Sequence, residues 1–236
     1  MRRLLAGLVL TAAACSGTGE SALVIGVASS MTEAAQELGE AYGKGQIKLS
    51  VAGSQVLVAQ VREGAPLDIV LTADATTAET LAGLGAITGE PVAFARNRLA
   101  IAVAEGNPRA ISRLSDLTDP RLTVVLAAPE VPAGRYTDEL LQAAGVPVDA
   151  ASLEPSVRSV LAKVQLGEAD AGIVYRTDLN RPGVTGIAIP EAVNPVVEYY
   201  AVALKSASNP TAATAFVGFL QSSTARSILA DFGFLP

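Results

Sequence analysis

Four stretches of the chain place serine, glycine or proline where an apolar run gives way to a helical pattern. In "VASSMTEAA" (27–35), Ser30 stands three residues ahead of Glu33. That is the spacing of a capping box, in which the serine oxygen accepts a helix N–H and the glutamate reaches back. "VAGSQVLVAQV" carries Gly53 and Ser54, "PEVPAGRYTDELL" carries Pro132, Ala133 and Gly134, and "EPSVRSVLAKV" carries Pro155 and Ser156. Singly, each reads as ordinary first-turn chemistry. Together they allow a second use. The first N–H groups of a helix lack an intrahelical acceptor and sit at the positive end of its dipole, so several such ends can surround an anion. Gly134 would let another group approach the backbone closely, and Ser29 is assigned to packing.

Groups that break bonds are scarce. There is no histidine and a single cysteine, Cys15, which removes the commonest general base and the commonest zinc ligand. A serine nucleophile needs an adjacent base, and neither SxxK nor GxSxG accompanies Ser30 or Ser54. A binding protein is therefore expected ahead of an enzyme, with a hydrolase as a minor alternative. The chain has 17 basic and 23 acidic side chains, a net charge of −6, no tryptophan and 4% aromatic residues. Nucleic acid is excluded as a partner on these grounds, since it calls for a basic face and stacking rings.

Tyr199 and Tyr200 raise the alternative of a ferric-ion binder with phenolate ligands. Adjacent strand side chains face opposite ways, however, and no histidine or obvious carboxylate completes the set. Arg135 and Arg158 are expected to face solvent or to pair with acids close by in sequence, such as Asp138 or Glu154.

The elements that must position these groups alternate. "ALVIGV" (22–27), "IKLSVA" (47–52), "DIVLTA" (68–73), "LTVVLA" (122–127) and "AGIVY" (171–175) read as strands, with helical patterns following the first four. "PVAFA" and "RLAIAVA" read as two β-rich runs separated by Arg96 and Asn97. "VVEYYAVAL" reads as one long strand before two closing helices. The alternation predicts an α/β fold whose sheets are mixed, mainly parallel and flanked by helices. "FARNRLA" looks like an exposed crossing between two lobes, and "VVEYYAVAL" is long enough to return across it. The expected division is residues 22–96 in a first lobe, 97–199 in a second, and 200–236 back in the first.

At the start of the chain, Arg2 and Arg3 precede the apolar run Leu4–Ala14 and then "AAACSG". This is the layout of a secretory signal over residues 1–14. Eleven residues are too few for a membrane-spanning helix, which takes about 20. The segment resembles a lipobox, with Ala12 where leucine is usual. It implies that Cys15 is lipidated and that 15–21 tether the protein to the outside of a bacterial membrane.

"ASSMTEA", "AGSQVLVAQVREGAPLDIVLTAD", "PEVPAGRYTDELLQ", "EPSVRSVLAKVQLGEADAGIVY" and "VVEYYAVAL" fall in the order seen in the molybdate-binding proteins of ABC transporters, and the chain resembles that family from about residue 23 to 234. The resemblance implies a type II periplasmic-binding-protein fold, two α/β lobes joined by two hinge strands. It implies a monomer that closes on molybdate or tungstate about the "FARN" and "EYYA" strands and passes it to a membrane permease. No cofactor and no direct protein–metal bond are implied. By the same resemblance the ligand-binding hydroxyls are those of Ser30, Ser54 and Tyr175, and the backbone N–H donors are those of Ala133 and Val157. Two positions depart from the pattern. Arg135 stands where an uncharged residue is frequent, and Gly53 replaces a common serine. Neutral donors suit a desolvated dianion, because hydrogen bonds to charged groups are about twice as strong as neutral ones. They also disfavour protonated phosphate, whose own O–H would face a donor. Sulfate is the alternative ligand.

Overall fold

A run such as "IVLT" (Ile69–Thr72) is buried at every position. As a strand buried at successive positions, it is covered on both faces. The computed structural model describes residues 22–235. The signal segment 1–14, Cys15 and the tether 15–21 lie outside the described residues.

The described strands are β1 (Leu23–Ala28), β2 (Ile47–Ala52), β3 (Ile69–Thr72), β4 (Ile87–Asn97), β5 (Leu99–Ala104), β6 (Val124–Ala127), β7 (Ser152–Glu154), β8 (Ala171–Tyr175), β9 (Val184–Ala188) and β10 (Val197–Leu204). The helices are α1 (Thr32–Tyr42), α2 (Ser54–Arg62), α3 (Ala75–Gly83), α4 (Pro132–Ala144), α5 (Val157–Gln165), α6 (Pro210–Phe219) and α7 (Ser223–Asp231). The strands form two sheets, ordered β2-β1-β3-β10-β4 and β7-β6-β8-β5-β9. Each is the centre of one lobe.

In the first lobe, side chains alternate between two packed faces. Ile25, Val27, Ile69, Leu71 and Ala201 point to the side covered by α1 and α6, with α7 lying on α1. Val70, Val202 and Leu204 point to the other side, where they meet Leu57 of α2 and Leu81 of α3. In the second lobe, α4 and α5 pack on β5, β6 and β8.

Both sheets are mixed, but neither is mainly parallel. β1–β2, β1–β3, β6–β7 and β6–β8 pair parallel, whereas β10 with β3 and β4, and β5 with β8 and β9, pair antiparallel. The strands that carry the chain between lobes enter from the opposite end, and antiparallel pairing is what that direction imposes.

The crossings also differ from the expectation. Arg96 and Asn97 do not separate two runs; both belong to β4, and only Arg98 lies between β4 and β5. The junction is largely covered, with Phe94, Ala95 and Asn97 buried. β10 pairs with the first sheet from Val197 onward, so the return begins before residue 200. The two crossings are stitched together by the buried Asn194. Its side chain accepts from Leu99 N at 3.1 Å and donates to Leu99 O at 2.8 Å.

Candidate anion-binding site

Each group picked out at a helix start has a structural reason for its place. β1 ends at Ala28 and runs into a 3-10 turn, Ser29–Met31, that holds Ser30. Ser54 opens α2 directly after the end of β2, Ala133 is the second residue of α4, and Val157 is the first of α5. Tyr175 is the last residue of β8. Gly134 lets α4 settle on the end of β6, because a Cβ there would lie 2.0 Å from Ala128 O. Ser156 caps α5, its hydroxyl accepting from Ser159 N at 3.1 Å.

Ser30, Ser54, Ala133, Val157 and Tyr175 line one cavity. Two come from the first lobe and three from the second. The cavity is small, about 10 Å³, far below the roughly 300–1,000 Å³ of pockets for drug-sized ligands. It suits a small ion. Its wall contains no charged side chain. Ser29, assigned to packing from the sequence, also borders it.

The hydroxyls are set up to donate. Ser54 Oγ accepts from Ala73 N at 3.2 Å, and Ser30 Oγ accepts from the Tyr199 hydroxyl at 3.1 Å. Each serine keeps its own proton for another acceptor. The Tyr175 hydroxyl is buried with no hydrogen-bond partner, although a buried phenol ordinarily finds one. Its ring packs edge-on against Tyr199, centroids 5.8 Å apart. Burial pushes both phenols well above the ordinary range, so both stay protonated donors. Behind Tyr175, the buried Asp178 accepts from Tyr175 N at 3.1 Å. Burial pushes Asp178 up to about 6 against the opposing pull of Arg158, the Tyr175 N–H and Arg181.

Two expectations about charged neighbours are corrected. The Ser30–Glu33 capping box does not form. Met31 is the residue before α1 and caps it with no side-chain bond. Glu33 is drawn instead to Arg158, at 3.1 Å, and to Arg181. Burial alone would raise the Glu33 carboxyl, but bonds to Arg181 and Arg158 bring it below its usual value. Arg135 and Arg158 do not pair within their own helices. Arg135 reaches Asp74 and Thr77 of the first lobe. Arg158 reaches Ser29 O at 2.8 Å as well as Glu33. The guanidinium charges beside the cavity are thus answered by carboxylates across the cleft, and the wall stays neutral.

The family resemblance implies a hinge strand at Tyr199, but not that its hydroxyl holds Ser30. The period of two in β10 carried the signal. Val197, Tyr199 and Ala201 are buried while Glu198 and Tyr200 are half-buried, and Tyr200 turns to Glu198. The two tyrosines therefore do not converge on one ion. Among the described residues no group of three or more His, Cys, Asp or Glu could hold a metal.

The signature of bacterial extracellular solute-binding proteins matches residues 23–235. The chain belongs to that family. This solute-binding protein is similar to the molybdate-binding protein ModA of Mycobacterium tuberculosis, 37% identical over 92% of this chain and 85% of the relative. Its fold is shared with the periplasmic molybdate-binding protein of Azotobacter vinelandii, at a TM-score of 0.80 and 19% identity, covering 91% of this chain and 99% of that one. The sulfate-binding protein SubI of Mycobacterium tuberculosis superposes at 0.82 with 17% identity, covering 91% and 86%. These likenesses establish the two-lobed type II fold of solute-binding proteins for the described lobes.

Proposed function

We propose that this solute-binding protein captures molybdate or tungstate outside the cytoplasm and delivers it to an ABC permease, with no chemical step of its own. The observation that carries the reading is the Tyr175 hydroxyl, buried and unpartnered in the wall of a small cavity that has no charged side chain. An orphaned donor is costly unless an acceptor fills the site. A tetrahedral dianion supplies acceptors on every side, and Ser30, Ser54, Tyr175 and the first-turn amides of Ala133 and Val157 would answer them. The similarity to relatives named for molybdate supports this anion over others. Lipidation of Cys15 would hold a monomeric protein at the outer membrane face, beside its permease.

Thermal denaturation with about 1 mM molybdate, tungstate, sulfate, phosphate or ferric citrate tests the reading. A ligand present at a thousand times its dissociation constant adds about 4 kcal/mol. Molybdate and tungstate are expected to raise the Tm strongly. Phosphate and ferric citrate should not, and sulfate should act weakly if at all. No shift with molybdate or tungstate overturns the proposal.

A further inference from the structure

Gly53 precedes α2 with φ −64° and ψ 146°, a conformation open to any residue, so no turn demands glycine there. What the missing Cβ provides is room. A Cβ on Gly53 would lie 2.7 Å from Gln55 Oε1, 2.8 Å from Nε2 and 3.1 Å from Cδ. The Gln55 amide folds back over Gly53 into that space, and Nε2 donates to Pro155 O at 2.9 Å.

This bond joins the lobes. Gln55 belongs to α2 of the first lobe, and Pro155 precedes α5 of the second. Gly53 and Ser54 on one side, and Ser156 and Val157 on the other, border the cavity. The bond therefore ties together two wall segments that must part when the cleft opens. Gln55 Oε1 is buried without a partner, so the link to Pro155 is the polar contact the amide gains by lying there.

We propose that Gln55 is a positioning residue for ligand retention: its amide, admitted by Gly53, clasps the start of α5 to the start of α2 and slows release of the bound anion. The inference rests on the oxyanion-binding reading above. It gives the Gly53 departure a use. A serine at 53 would add a hydroxyl near the anion but would lift the amide off its seat. Glycine gives up that donor and keeps the clasp.

The test is stopped-flow molybdate binding, followed by tyrosine fluorescence, on the wild-type protein, Gly53→Ala, Gln55→Ala and the double variant. In Gly53→Ala only the flexible end of Gln55 has to move, so the fold persists. The poorer helix cap lowers the ligand-free Tm slightly. Each single variant is expected to release molybdate about 2- to 10-fold faster, the size of one neutral hydrogen bond, with association unchanged. The double variant should release it no faster than either single one, because both changes remove the same bond. Wild-type release rates in the single variants, or multiplying effects in the double, overturn the proposal while leaving the oxyanion reading intact. Failure of the wild-type protein to bind molybdate, tungstate or sulfate overturns both.

Discussion

Arg135 and Asp74 bridge the cleft between the lobes: Arg135 Nε lies 2.9 Å from Asp74 Oδ2, and a second guanidinium nitrogen meets the same oxygen. Asp74 is buried and also caps α3 by accepting from Thr77 N at 3.0 Å. One carboxylate therefore serves a helix within its own lobe and a cation on the other. Removing Arg135 would leave that carboxylate buried without a counter-charge.

Arg135→Ala is expected to weaken the closed arrangement. The cost lies between the roughly 0–1 kcal/mol of an exposed pair and the roughly 3–5 kcal/mol of a buried one, since the Arg135 side chain is 29% exposed. Molybdate release should speed up about tenfold, equivalent to about 1.4 kcal/mol, and small-angle scattering of the ligand-bound variant should show a larger radius of gyration. Unchanged release and unchanged compactness would mean that the bridge does not hold the lobes together.

Tyr175→Phe should separate binding from stability. It removes a hydroxyl that lacks a partner in the ligand-free protein, so the apo Tm is expected to stay level or rise. Molybdate affinity should fall about 10- to 100-fold, the worth of one bond to a charged group. Ser54→Ala is the contrast, because it also strands the Ala73 N–H that Ser54 accepts and should lower both quantities. Calorimetric titration together with apo melting curves distinguishes the two patterns.

Asp178 predicts a pH signature. Its carboxyl is raised from 3.8 to about 6 in the folded protein, chiefly by burial. Over that interval the folded state binds more protons than the unfolded one. Stability from this group is fully present below about pH 4 and is lost as the pH rises through about 6. Glu33, whose carboxyl is lowered, acts in the opposite sense, so the variant must be compared with wild type at each pH. The Tm of Asp178→Asn minus that of wild type should grow between about pH 4 and 7. A constant difference would show that Asp178 does not titrate in that range.

Gly134→Ala is expected to be among the most damaging single changes. Its Cβ would meet Ala128 O at 2.0 Å and Ala127 O at 2.7 Å, and a backbone carbonyl has no rotamer by which to retreat. Overpacking of this kind typically costs about 1–3 kcal/mol or more. Chemical denaturation should show a lower midpoint, and molybdate affinity should drop because the start of α4 is displaced. A variant with wild-type stability and affinity would mean that the approach of α4 to β6 has slack.

Uninterrupted β-rich runs were legible in the sequence. "IKLSVA" and "AGIVY" are strands over the stretches read for them, and the helix starts were marked by serine, glycine and proline. β7 was missed because three residues at a sheet edge, with Leu153 exposed, carry no pattern. β9 was missed because Gly186 interrupts a half-exposed run. The site was legible in part. Its helix-start hydroxyls stood out by position, whereas Tyr175 came through the family resemblance and not through spacing. The partners across the cleft were not legible. Asp74 and Arg135 are 61 residues apart, and reading along a chain offers an arginine only its neighbours, such as Asp138.

Both ends of the described chain lie in the same lobe. β1 belongs to the first sheet, and Leu235 N donates to Arg96 O at 2.8 Å on β4 of that sheet. The second sheet is threaded between β4 and β10 with two attachments and no free end. Any tether ahead of Leu23 would therefore grip one jaw of the clamp and leave the other to swing. In the proposed capture cycle, the lobe without the tether is the one whose position would change relative to the membrane.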